Sequence, residues 1–452
     1  MIMFKSINPS TGKVLDQYTA FSLDQILRSI NDVNDEFLNW RNTSFKERSK
    51  VLIGIADSLK LDLESHARMI SLEMGKPINE SRQEIEKSIW VLRYYAENSE
   101  EFLKNEYIET EYSESYIKYE PIGIIFGVMP WNFPYWQVLR FLAPILMSGN
   151  TCIIKHAPNV FGCSLKIESL IRKKSPFKNI FKSIICEESK VESIIKNKFI
   201  KGVSLTGSDR AGSIVASYAA KEVKRTVLEL GGSDAFIVLE DADIKKASKI
   251  AVMARFFNSG QSCIAAKRFL VHANIYDDFI SNVEERIKNL IVGDALDEKT
   301  QIGPLAKIEF VDQIKKIVDL SLESGAKCVI NPVVNNNFFH PVLLIDVNES
   351  MSVFQEETFA PVFCVSKIKD IEEAISIANN SKYGLGGSVW TSDIEKGKYI
   401  ANQINTGAVF INDMTKSDPR LPFGGVNKSG YGVELSKYGI REFVNMKTVV
   451  VK

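Results

Sequence analysis

The 452-residue chain has little of what several common functions need. It has only four histidines, at 66, 156, 272 and 340, and no two stand at metal-ligand spacing, so no metal site is expected. Its six cysteines (152, 163, 186, 263, 328, 364) follow no framework spacing, which excludes a disulfide scaffold and fits reduced thiols. Neither sign of charge dominates. Lys+Arg and Asp+Glu both number 56, so the electrostatic footprint of a nucleic-acid binder is missing. There is no run of eighteen apolar residues, and the N-terminus, Met1-Ile-Met-Phe-Lys-Ser, lacks the plan of a signal peptide. A cytoplasmic protein with no membrane contact is therefore expected. The GxGxxG fingerprint is absent, so any dinucleotide site must be built in another way.

What is present is the composition of a globular protein, 45% hydrophobic and 25% charged, in a chain too long for one ordinary core. Amphipathic helical patterns dominate 22–105, most clearly at 24–40, 44–60 and 78–98. Residues 107–119 alternate like an exposed two-stranded ribbon. Beyond Pro121, apolar strand-like runs at 122–129, 151–155, 180–186 and 202–205 alternate with helical stretches at 136–148, 160–173, near 190–197 and at 209–220. Such alternation predicts a parallel sheet with crossover helices, a doubly wound nucleotide-binding unit. A second α/β half begins near Gly231 and runs to about Gly425. The closing residues 447–452 read as a strand in need of a partner.

Cys263 is the most informative residue. In Asn258-Ser-Gly-Gln-Ser-Cys-Ile-Ala-Ala-Lys267 the thiol lies among small and polar residues rather than on an apolar stripe, a setting that suits a nucleophile. Glu229, 34 positions earlier in Leu228-Glu-Leu-Gly-Gly232, offers a carboxylate base. No histidine is close to either in sequence. Asn132, in the stiff turn Pro130-Trp-Asn-Phe-Pro134, is a rigid amide suited to an oxyanion site. Lys155 closes a strand, where ligands of doubly wound sheets bind, and Gly207-Ser208 precedes a helix whose N-terminus can face a phosphate. Taken singly, each has an ordinary alternative: an Asx turn, a solvated lysine, a helix cap, a buried thiol.

Their order removes the ambiguity. Asn132, Lys155, Gly207-Ser208, Glu229-Leu-Gly-Gly232, Gly260-Gln-Ser-Cys263, Glu356-Glu-Thr-Phe359 and Pro422-Phe-Gly-Gly425 together resemble the aldehyde dehydrogenase superfamily, over nearly the whole chain. Within it, Lys155-His-Ala-Pro-Asn159 and Ser417-Asp-Pro-Arg-Leu-Pro-Phe423 resemble the short bacterial succinate-semialdehyde dehydrogenases. The resemblance implies an α/β aldehyde dehydrogenase-like fold. Its doubly wound coenzyme domain would span 1–106 and 123–230, and its α/β catalytic domain 231–425. A β-ribbon oligomerisation arm would comprise 107–122 and 426–452, in a homodimer or homotetramer. It implies NADP- or NAD-dependent oxidation of an aldehyde, with succinate semialdehyde the expected substrate. The alternatives are another small aldehyde, or acyl transfer to coenzyme A.

By the same resemblance Cys263 is the nucleophile, Glu229 the base and Asn132 the oxyanion donor. Trp131, Lys155, Pro158, Gly207, Ser208, Glu357 and Phe359 would contact the cofactor. Arg140, two helical turns beyond Asn132, would hold the substrate's far carboxylate with Ser417, while Trp136 walls its carbon chain. The ordinary alternative for Arg140 is an ion pair with an acidic residue of the chain. Two positions depart from the family pattern. Ala360 replaces a glycine, and Pro158 replaces a glutamate common in NAD-preferring relatives, so NADP is expected to be at least competitive.

Overall fold

A computed structural model describes residues 2–452. Two sheets carry the architecture. The first has six strands in the order Gly430–Tyr431, Arg225–Glu229, Ile200–Thr206, Ile124–Met129, Thr151–His156 and Phe181–Ser183, all parallel except the first. The second has seven, in the order Lys327–Ile330, Val342–Ile345, Val362–Ile368, Ala266–His272, Asp234–Val238, Gly386–Trp390 and Ala408–Ile411, again with one antiparallel edge. The central strands are buried on both faces, which is why they read as continuous apolar runs such as Asp-Ala-Phe-Ile-Val.

Four helices, Leu23–Trp40, Phe45–Leu61, Leu63–Met74 and Ile78–Phe102, come before the first sheet. Ser22 and Ser44 start the first two with capping boxes closed by Gln25 and Glu47. The helix Leu63–Met74 has no sequence-based counterpart. Only Asp62 separates it from its predecessor, without a capping bond, so the joint is a single residue that does little to mark its start. The strand expected over 180–186 is confined to Phe181–Ser183.

A third sheet corrects the reading of the C-terminus. Val444–Val451 is not orphaned: it pairs antiparallel with Glu114–Pro121 of the same chain across eight residue pairs, from Val444–Pro121 to Val451–Glu114. Glu106–Tyr107 adds a short third strand on the far side. The ribbon is thus three-stranded, and its open edges are the outer sides of the terminal strand and of Glu106–Tyr107. Gly430–Tyr431, in the same C-terminal segment, pairs with Arg225–Glu229 and brings that segment beside Glu229.

Candidate active site

The loop that carries Cys263 is held in a conformation few side chains adopt. Asn258, Ser259 and Gly260 have φ of 56°, 54° and 75°, three successive left-handed residues. For the two non-glycine residues this costs about 1–3 kcal/mol each, so the surroundings must fix it. The Asn258 N–H donates to Glu80 Oε2 at 2.7 Å, and Ser259 Oγ accepts from the Gly303 N–H at 2.9 Å. Gln261 Oε1 accepts from the Ala306 N–H at 2.9 Å. Gly260 must be glycine, since a Cβ there would meet the Ala360 carbonyl oxygen at 2.5 Å. Ala360 itself is not among the positive-φ residues and its methyl packs into a core cluster, so alanine is accommodated there without strain.

On the C-terminal side of the thiol, the buried ammonium of Lys267 donates to the carbonyls of Ser262 (3.0 Å), Cys263 (2.8 Å) and Ala265 (3.1 Å). Asn132 Nδ2 donates to the Gln261 carbonyl at 3.1 Å, and Asn258 Nδ2 donates back to the Asn132 carbonyl at 2.9 Å. The Pro-flanked turn and the nucleophile loop are thereby stitched together. Glu84 secures the turn from behind. Its Oε1 accepts the N–H groups of Tyr135 (2.8 Å) and Trp136 (3.0 Å), and its other oxygen pairs with buried Lys76.

Cys263 lines two cavities. One, of about 220 Å³, is bounded by Trp131, Asn132, Gly207, Ser208, Glu357 and Phe359. The other, of about 310 Å³, is bounded by Lys87, Trp136, Arg140, Met414, Ser417 and Phe423, among others. The first suits a flat aromatic ring joined to a ribose. Trp131 meets Phe359 edge-on at 5.6 Å and stacks on Phe310 at 5.2 Å. The Glu357 carboxylate accepts the Gly232 N–H at 2.9 Å, and its other oxygen lies where a Cβ on Gly231 would come within 2.5 Å. Ser208 caps the following helix, accepting the Ala211 N–H at 3.2 Å. Lys155 and Pro158 line neither of these two cavities. Lys155, next to last in its strand, is buried, in the field of Cys186, Glu188 and Lys307.

Burial sets the charge states. It pushes the Cys263 thiol up to about 12, against the pull of Lys267 and Arg140. Glu229 is buried and lines neither cavity. Burial carries its carboxyl well above the usual range, Arg140 draws it down, and Glu434 raises it further. Arg140 is ion-paired through Nε with Glu434, both buried, and its Nη2 makes no hydrogen bond among the described residues. One guanidinium thus serves two carboxyl groups, and such a cluster is electrically balanced only when one of them keeps its proton.

Asn132 and the expected substrate contacts Arg140, Trp136 and Ser417 therefore line cavities shared with Cys263, while Glu229 lies outside both. Sequence reasoning missed Lys87, Glu84, Glu80, Lys267 and Glu434. A signal existed for Glu84, an acid within the buried stripe 81, 84, 85, 88 of its helix. It existed also for Lys267, which with Arg268 puts two cations at the head of the apolar strand run Phe269–Val271. None marks Lys87.

Relatives bear on this arrangement. A family model described as the aldehyde dehydrogenase family matches residues 2–449. A probable succinate-semialdehyde dehydrogenase (NADP(+)) of Synechocystis is 42% identical over 447 residues, covering 98% of each chain. Succinate-semialdehyde dehydrogenase (NADP(+)) 1 of Mycobacterium tuberculosis is 42% identical over 450 residues, again 98% of each. The structure of succinic semialdehyde dehydrogenase from Streptococcus pyogenes, in complex with NADP+, superposes with a TM-score of 0.97 at 33% identity, covering 99% of each chain. The ordered motifs, the two-cavity thiol and these matches agree, and the chain belongs to the aldehyde dehydrogenase family.

Proposed function

We propose that the protein oxidises succinate semialdehyde to succinate with NADP, and with NAD as a second cofactor. The observation that carries this reading is the position of Cys263 between an aromatic- and carboxylate-lined cavity on one side and a cation-bearing cavity on the other. A thiol so placed can face a nicotinamide and a carboxylated aldehyde at once.

In this reading Cys263 Sγ attacks the aldehyde carbon to form a thiohemiacetal. The oxyanion accepts hydrogen bonds from Asn132 Nδ2 and the Cys263 backbone N–H, each worth about 2.7–4 kcal/mol to the transition state. Trp131, Gly207, Ser208, Glu357 and Phe359 would hold a nicotinamide cofactor beside Cys263, and it would supply the two-electron oxidant that takes the thiohemiacetal to a thioester. Glu229 then takes a proton from the water that attacks the thioester, and succinate leaves as the thiol is restored. Since Glu229 lines neither cavity, its carboxylate must turn toward Cys263 for this step. Glu434 is the group able to hold the proton meanwhile, with the Arg140 cation balancing whichever carboxylate stays charged.

Several features favour NADP. Pro158 puts no carboxylate beside Lys155, and Lys307 adds a second positive charge nearby. The relatives named above are NADP(+) enzymes by name. The division into a coenzyme part (1–106 and 123–230), a catalytic part (231–425) and an arm (107–122 and 426–452) belongs to the same proposal, as does assembly into a homodimer or homotetramer through the ribbon's open edges. Among the described residues no helix is long and apolar enough to cross a membrane. The free cysteines fit work in a reducing cytoplasm.

The test is a panel of aldehydes against both cofactors, read as kcat/KM from reduced-nicotinamide absorbance. Succinate semialdehyde with NADP should lead. Turnover that requires coenzyme A would instead point to an acylating enzyme, and preference for an uncharged aldehyde would remove the substrate assignment.

A further inference from the structure

The cavity in front of Cys263 is lined by three cations, Lys87, Arg140 and Lys416, which differ in one decisive respect. Lys416 is paired with Asp413. Arg140 is already matched by Glu434. Lys87, from the helix Ile78–Phe102, lines the same cavity, and no carboxylate lies within 4.0 Å of its ammonium among the described residues. Two acids contribute to its field, Glu84 and Asp418, and each has its own cation. Glu84 is paired with Lys76. Asp418 is gripped by Arg420 through Nε at 2.9 Å and Nη2 at 2.6 Å. Instead of a counter-ion, Lys87 Nζ has the Ser417 hydroxyl, to which it donates at 2.8 Å, and the face of Trp136 at 4.5 Å from the ring centroid. Ser417 Oγ accepts from the ammonium, so its own proton is free to donate. An indole face and a hydroxyl hold an ammonium in place without neutralising it.

Resting on the substrate reading above, we propose that Lys87 is the specificity-determining residue of this cavity: its ammonium, with the Ser417 hydroxyl, seats the carboxylate at the far end of the aldehyde. The two donors converge on one anion, and Trp136 beneath them packs against the short carbon chain. Arg140 sets the field at the back of the cavity, but its charge is taken. Burial and the neighbouring charges of Arg140 and Lys416 draw the Lys87 ammonium down to about 8, against the opposing pull of Asp418 and Glu84, so the seat should lose its charge in mildly alkaline solution. A bound carboxylate would resist that loss.

The test compares kcat/KM for succinate semialdehyde with that for butanal, as a ratio, in the wild type and in Lys87→Met, Lys87→Arg and Ser417→Ala. A ratio cancels changes in thiol reactivity common to both aldehydes. Lys87→Met should lower it by about tenfold or more, Lys87→Arg should restore most of it, and Ser417→Ala should lower it severalfold. Between pH 7 and 9 the wild-type ratio should fall, whereas in Lys87→Met it should stay flat. A wild-type preference for succinate semialdehyde that survives in Lys87→Met overturns this inference and leaves the substrate reading intact. A wild-type ratio near one overturns both. If Lys87→Met does not yield folded protein, Ser417→Ala and the wild-type pH profile decide, and an unchanged ratio in both removes the seat.

Discussion

Arg140 is ion-paired with Glu434 at the back of the cavity that Cys263 fronts, and both are buried. The sequence suggests Arg140 as a carboxylate grip whose loss would spare uncharged aldehydes. The pairing implies a broader effect. Removing the guanidinium strands Glu434 and raises the burden on Glu229, and breaking a buried pair of this kind costs about 3–5 kcal/mol. Arg140→Ala should therefore lower kcat/KM by more than tenfold for both succinate semialdehyde and butanal, and should lower the melting temperature as well. Loss confined to the carboxylated aldehyde, with an unchanged melting temperature, would return Arg140 to a substrate-only role.

Cys263 should be the thiol whose modification abolishes activity. Four of the six cysteines are buried, and only Cys263 and Cys328 are partly accessible. With the Cys263 thiol pushed up to about 12, its thiolate fraction in the cofactor-free protein rises about tenfold per pH unit across the neutral range. Inactivation by iodoacetamide should follow that slope from pH 7 to 9, with label mapping to Cys263. A plateau below pH 8, or activity loss that tracks Cys328, would contradict it.

How much could be read in the sequence follows from how local each signal is. Asn132, Glu229, Cys263 and Glu357 stand in short Gly- or Pro-bearing segments, where tight backbone geometry demands particular residue types. Gly260 against the Ala360 carbonyl is one such demand, and Gly231 against Glu357 another. Lys87 lies in a 25-residue helix, where a charged residue every few positions is ordinary, and only packing against Ser417 gives it meaning. The terminal strand was legible as a strand. Its pairing with Glu114–Pro121 was not, because the two segments are more than 300 positions apart and no short-range signal sets a register across such a distance.

Cofactor choice should turn on position 158. A carboxylate there would oppose the 2′-phosphate of NADP near Lys155, whereas Pro158 is neutral. Pro158→Glu should shift the NADP-to-NAD ratio of kcat/KM toward NAD by about tenfold or more, the scale of juxtaposed like charges. An unchanged ratio would place discrimination elsewhere, with Lys307 the next residue to vary.

Assembly should depend on the three-stranded ribbon. Its outer strand Val444–Val451 leaves one edge unpaired within the chain, and Met446, Val450 and Val451 are exposed on it, a surface that folded chains usually cover. Sedimentation should show a dimer or tetramer that charged substitutions at Met446 and Val450 weaken. A stable, fully active wild-type monomer would contradict the assembly.

The most direct test of the central claim, covalent oxidation at Cys263 followed by hydrolysis through Glu229, is the first turnover followed by stopped-flow absorbance of the reduced nicotinamide. Wild type mixed with NADP and succinate semialdehyde should reduce cofactor continuously. Glu229→Gln should give a burst of at most one equivalent per site and then stall with acyl-enzyme detectable by mass at Cys263, while Cys263→Ala should give no signal. Steady turnover in Glu229→Gln, or cofactor reduction by Cys263→Ala, would contradict the account.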